Sequence, residues 1–160
     1  MKPVHNDLDS VISDRSRALE ELWALTLRLG HLMQQGLAER SLTVARANVL
    51  WELRLNGPRT QRALSQALRT TPRNITGLVD GLEADGLVER AAHPSDRRAT
   101  LVTLTEQGKA LANTLRDGQD GFAQYLFADT SAGELESFRA TLDRVLSRVQ
   151  AVMPSDGSAD

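Results

Sequence analysis

No cysteine occurs anywhere in the 160 residues. A disulfide, a thiolate metal ligand and a thiol-based oxidation sensor are therefore excluded, and nothing points to secretion. Histidine is scarce too: His5, His31 and His93 are widely spaced and share no ligand-like pattern, so no metal site and no cofactor is expected. Apolar stretches are broken by charges well short of a membrane span, and the first 14 residues lack the apolar run of a targeting peptide. The expected location is cytoplasmic, with no membrane partner. Catalytic constellations are missing as well. No nucleophile stands with a histidine and a carboxylate, Gly77 and Gly81 fall inside a predicted helix, and no Gly-Lys-Ser/Thr follows them, so an enzyme is not expected.

What is present is the composition of a soluble globular protein, 41% apolar and 25% charged. The length suits one domain, or a small module with a helical extension, folding alone or with help from a dimer partner. The net charge of −2 conceals an asymmetry: residues 59–76 hold Arg59, Arg62, Arg69 and Arg73 with no acid, leaving −6 for the rest. A basic island in an acidic chain suits contact with phosphate, although a solvated arginine-rich helix face has the same composition.

Leu19, Leu22, Trp23, Thr26, Leu29, Met33 and Leu37 repeat at helical spacing, and Leu25, Leu27 and Leu32 add apolar surface on other sides. A helix of about two dozen residues with more than one apolar side needs more than one packing partner, which suggests a second subunit besides the core. Val44, Ala47, Leu50 and Trp51 mark a second helix that stops at Asn56-Gly57-Pro58. A short third helix runs from Thr60 through Ala63, Leu64, Ala67 and Leu68. Thr71-Pro72 then reads as N-cap and first residue of a fourth, because the threonine oxygen accepts from a free amide and proline has none to lose. Ile75, Leu78, Val79 and Leu82 form its buried stripe, and Asp85-Gly86 ends it.

Residues 87–90 and 100–104 predict a two-stranded hairpin with a charged tip, His93 to Arg98. Thr105 caps a long helix through Leu111, Leu115, Phe122 and Leu126, and Thr130 or Ser131 opens the last one, through Leu135, Phe138, Leu142 and Val149. From Pro154 the chain reads as a disordered tail, residues 154–160. The expected architecture is mainly α: a winged helix-turn-helix over residues 41–105, flanked by helical dimerisation segments at 8–40 and 106–150. A major groove about 12 Å wide accepts one helix, so the residues off the stripe of the fourth helix become candidate contacts with double-stranded DNA. Arg73 suits guanine or phosphate, Asn74 adenine, and Thr76 a phosphate or a thymine methyl, while Gly77 permits close approach. Arg62, Arg69 and Thr71 complete that set, Arg62 and Arg69 touching phosphate or merely solvating a helix. Asp80 and Glu83 read as surface or intramolecular partners, since a carboxylate near phosphate is repelled unless arginine pairs with it.

Three segments stand in order along the chain: Leu78 to Arg90 (Leu-Val-Asp-Gly-Leu-Glu-Ala-Asp-Gly-Leu-Val-Glu-Arg), Asp96-Arg97-Arg98-Ala99, and Leu104-Thr105-Glu106-Gln107-Gly108. On these residues the chain, from about Arg62 to Gly108, resembles the MarR (multiple antibiotic resistance regulator) family. The resemblance implies a homodimer whose terminal helices interdigitate, a fourth helix in the major groove and a wing in the adjacent minor groove. The wing arginines would be Arg97 and Arg98, with Asp96 bracing one of them. A symmetric dimer implies a pseudo-palindromic operator with half-sites about one turn apart, and repression is the family's usual sign. Relatives released by small aromatic or lipophilic effectors make Trp23, Leu27, His31, Arg46, Val49 and Trp51 candidates for such a pocket, against ordinary core and dimer packing for the same residues. The competing function is a winged helix that binds protein; exposed leucine or aromatic residues on the fourth helix would favour it.

Overall fold

The computed structural model describes residues 5–92 and 99–152, with side chains from residue 13 onward. Expectations about the wing tip (Asp96, Arg97, Arg98) and the tail 154–160 lie outside the described residues. The order is α1 (His5–Ala38), α2 (Val44–Asn56), β1 (Arg59–Thr60), α3 (Gln61–Ala67), α4 (Pro72–Ala84), β2 (Val88–Ala92), β3 (Thr100–Leu104), α5 (Glu106–Leu126) and α6 (Ala132–Val152). This is a mainly helical winged helix, as expected. Two boundaries differ from the sequence reading: α1 runs for 34 residues from His5, and the wing is part of a three-stranded sheet in the order β1-β3-β2. The third strand is β1, whose Arg59 and Thr60 pair antiparallel with Val102 and Leu101.

By contact density the chain divides into two units, residues 1–113 and 114–160, with the boundary inside α5. In the first, Ala47, Val49 and Leu50 of α2, Leu64 of α3, Ile75, Val79 and Leu82 of α4, and Val102 of β3 have no measurable exposure. These residues come from four elements, so each short element is held chiefly by the others and not by its own propensity. In the second unit Phe127 and Phe138 meet with ring centroids 5.9 Å apart, and Ser131 and Glu134 form a capping box at the start of α6, the Glu134 carboxylate accepting from the Ser131 amide at 2.9 Å.

Three helices in the first unit end in the same way. The amide two residues past the cap reaches back five residues: Leu42 to Leu37, Thr70 to Ser65, and Leu87 to Leu82, at 3.0, 3.0 and 2.9 Å. That closure needs a left-handed residue in between, here Ser41 (φ 55°), Arg69 (φ 48°) and Gly86 (φ 69°). Only the last is glycine, so the turns after α1 and α3 carry strain that the turn after α4 does not.

Candidate nucleic-acid interface

The geometry of α4 starts at its cap. Thr71 is extended (φ −75°, ψ 150°), its hydroxyl accepts from the Asn74 amide at 3.2 Å, and Pro72 stands at the first helical position. Fixing the helix there sends Ile75, Val79 and Leu82 into the core and leaves Arg73, Asn74, Thr76, Gly77 and Asp80 exposed. No large apolar side chain lies on that outward stripe. Asn74 donates from Nδ2 to Thr70 Oγ1 at 2.8 Å, which fixes its amide plane and leaves Oδ1 directed elsewhere. The Thr76 hydroxyl lies 2.9 Å from Gln61 Oε1 and 3.0 Å from the Pro72 carbonyl, so its one proton is held between α3 and α4. Gln61 was not among the sequence candidates; its only sequence signal is its place immediately after the Thr60 cap of α3, where a side chain borders the next helix.

Charge is sorted around this face. Every carboxylate on or capping α4 is paired with arginine from behind: Asp80 and Glu83 with Arg90 of β2, and Asp85 with Arg46 of α2. Arg46 also donates to the Gly81 carbonyl at 3.1 Å, so one guanidinium from α2 closes the last turn of α4. Asp80 and Glu83 are thus intramolecular partners, as expected. Arg59 faces Glu52 at 3.6 Å, whereas exposed Arg62, Arg69 and Arg73 form no ion pair among the described residues. Among the described residues the basic window therefore resolves into one arginine paired with a carboxylate and three with none.

A second set of contacts explains why the sequence motifs at 85–90 and 104–108 occur together. The Thr105 amide donates to the Leu87 carbonyl at 3.2 Å, its hydroxyl donates to the Gly86 carbonyl at 2.6 Å, and the same oxygen accepts from the Gly108 amide at 3.0 Å. A Cβ on Gly108 would stand 1.9 Å from the Leu87 carbonyl oxygen. The start of α5 is thereby clasped to the turn that ends α4, and only glycine fits at the contact.

The ligand candidates differ in their surroundings. Trp23 and Leu27 are 65% and 76% exposed on α1, and His31 is exposed with a ring nitrogen 2.9 Å from Gln35 Nε2. Arg46 is committed to α4, Trp51 is half-buried, and Val49 is sealed in the core with no surface to offer a ligand. A cleft of about 410 Å³ bounded by Leu53, Arg54, Gly57, Pro58, Thr103, Leu104, Lys109 and Asn113 contains none of the six.

The family model of the MarR family matches residues 40–99, a range that takes in α2 to α4, β2 and the Asp-Arg-Arg-Ala segment. The transcriptional repressor NicR of Pseudomonas putida is 31% identical over 121 residues, which cover 69% of this chain and 77% of that protein. The chain belongs to the MarR family. The multiple antibiotic resistance protein MarR of Escherichia coli is 31% identical over 117 residues, covering 72% of this chain and 81% of the relative. In fold, the crystal structure of Streptococcus pneumoniae FabT in complex with DNA superposes with a TM-score of 0.79 at 16% identity, over 87% of this chain and 99% of that one. As a MarR-family chain this protein is a transcription regulator and not an enzyme.

Proposed function

We propose that the protein is a sequence-specific, homodimeric repressor that places α4 in the major groove of a pseudo-palindromic operator and Arg97 and Arg98 in the adjacent minor groove. The observation that carries this is the outward face of α4: Arg73, Asn74, Thr76 and Gly77 are exposed, and the helix's own carboxylates are each neutralised by arginine. The Arg73 guanidinium, exposed and in no ion pair among the described residues, suits bidentate bonding to guanine, and Asn74 keeps its Oδ1 for an adenine amino group. Arg62 and Arg69 supply phosphate contacts, and the Thr71 hydroxyl caps the N-terminus of α4, where anions are favoured. The absence of exposed leucine or aromatic residues on α4 speaks against a protein-binding winged helix. DNA is the partner in the FabT complex, and repression is the role of NicR.

Dimerisation is supported by apolar surface that a single chain leaves in water. Leu19, Trp23, Leu25, Leu27 and Leu32 of α1 are each 45% exposed or more, and separately Tyr125, Leu146, Val149 and Val152 of α5 and α6 are at least 48% exposed. Patches of this kind mark contact surfaces. Release by a small aromatic or lipophilic effector is part of the proposal, with Trp23, Leu27 and His31 on α1 and Trp51 on α2 as the residues free to meet it. Selection of duplexes from a random pool, with the wild-type chain and Arg73→Ala at two salt concentrations, tests the function. An enriched inverted repeat that the variant no longer selects supports it; no enrichment at either salt concentration rejects operator specificity.

A further inference from the structure

Two carboxylates sit on or beside the helix face assigned to DNA, and one arginine from the wing holds both. Asp80 lies four residues after Thr76 and seven after Arg73, on the same side of α4, and Glu83 follows at the next turn. Left to themselves they would face a duplex that carries one negative charge per about 1.7 Å of axis. Arg90 is the third residue of β2; its side chain lies on the same face as buried Val88 and is 28% exposed. Its Nη2 donates to Asp80 Oδ1 and its Nη1 to Glu83 Oε2. The hydrogen bond to Asp80, with the fields of Glu83 and Asp80, raises the Arg90 pKa above its already high value in spite of partial desolvation, so the guanidinium is charged wherever the protein folds. The planar fork spans two carboxylates at once, a geometry an ammonium does not have.

We propose that Arg90 is a positioning residue for DNA binding: it cancels the charge of Asp80 and Glu83 beside the phosphates and fixes the wing strand to the helix that reads the groove. The inference rests on α4 being the DNA-reading helix. Its two parts separate experimentally because charge acts on salt dependence and geometry on affinity. Binding of a labelled, selected duplex is followed by fluorescence anisotropy across a salt series, at a temperature where circular dichroism shows every variant folded. Arg90→Ala is expected to weaken binding about tenfold or more and to make the slope of log K against log salt shallower by about one. Arg90→Ala with Asp80→Asn and Glu83→Gln regains the slope but not the full affinity, because the charges are gone and the wing is untied. Arg90→Lys falls between wild type and Arg90→Ala. If Arg90→Ala loses affinity with an unchanged slope, or the triple variant has the slope of Arg90→Ala, the residue is merely structural and the proposal fails. Asp80→Asn with Glu83→Gln, Arg90 retained, gives a check that spares the arginine: it must steepen the salt slope, and a shallower one overturns the charge role. Failure of the underlying assignment shows separately, as an Arg73→Ala variant that binds like wild type.

Discussion

Replacing Gly108 with alanine puts a methyl group 1.9 Å from the Leu87 carbonyl oxygen and 2.9 Å from its carbonyl carbon. Both obstacles are backbone, so no side chain can rotate away, and the first turn of α5 must move off the end of α4 by an ångström or more. Two hydrogen bonds span that contact, from the Thr105 amide to Leu87 and from the Thr105 hydroxyl to Gly86. Losing them costs about 1 kcal/mol each, and overpacking at a buried site costs about 1–3 kcal/mol. Alanine's better helix propensity returns about 1 kcal/mol. The net expectation is a loss of about 3 kcal/mol, which for a chain of this size lowers the melting temperature by about 6–12 °C. The control is Gly81→Ala in α4, where a Cβ meets nothing within 4 Å; it should raise stability by about 0.8–1 kcal/mol. Thermal denaturation followed by circular dichroism measures both. A Gly108→Ala protein that melts at or above the wild-type temperature would refute the clasp between α4 and α5.

Ser41→Gly relieves the left-handed residue after α1 and should add about 0.5–1 kcal/mol in denaturant titrations; Arg69→Gly should do the same after α3 while making DNA binding less salt-dependent. Glu134 accepts from the Ser131 hydroxyl and amide, which hold its carboxyl below the ordinary 4.5. Its contribution is therefore present above that value and lost as pH falls through the lowered one, so melts at neutral and acid pH should differ less in Glu134→Gln than in wild type. An equal difference would show that the capping box carries no pH dependence. Arg97→Ala with Arg98→Ala should cut affinity for the selected duplex and flatten its salt dependence, and an unchanged salt slope removes the wing arginines from the interface.

What was legible in the sequence was local. Thr71-Pro72 and Asp85-Gly86 declare the two ends of α4 because caps and left-handed closures involve residues within five positions of one another, and the 3.6-residue period then fixes which residues face outward. Strand β1 was not legible: two residues cannot show alternation, and Arg59 and Thr60 become a strand only because β3 supplies their partners. The ion pairs were hidden for the same reason. Arg46 lies 39 residues from Asp85 and Arg90 lies 10 from Asp80, and composition does not tell which arginines bind carboxylates and which remain for phosphate. Val49 and Arg46, which residue type left open between a ligand pocket and ordinary packing, are a core side chain and a brace for α4 once tertiary contacts form. The Leu-Thr-x-x-Gly element could be matched as a pattern, but the reason for its glycine, the Leu87 carbonyl, lies in the turn after α4, far from it along the chain.

The central claim is that α4 reads bases. Its most direct test takes the duplex that the wild-type chain selects, replaces each base pair in turn, and measures affinity for wild type and Arg73→Ala at fixed salt. Wild type should lose about 1–3 kcal/mol at symmetric positions in the two half-sites, and Arg73→Ala should lose that penalty at one position per half-site while keeping the others. A variant that retains the whole wild-type pattern of penalties, or a wild-type chain indifferent to every replacement, would contradict the claim.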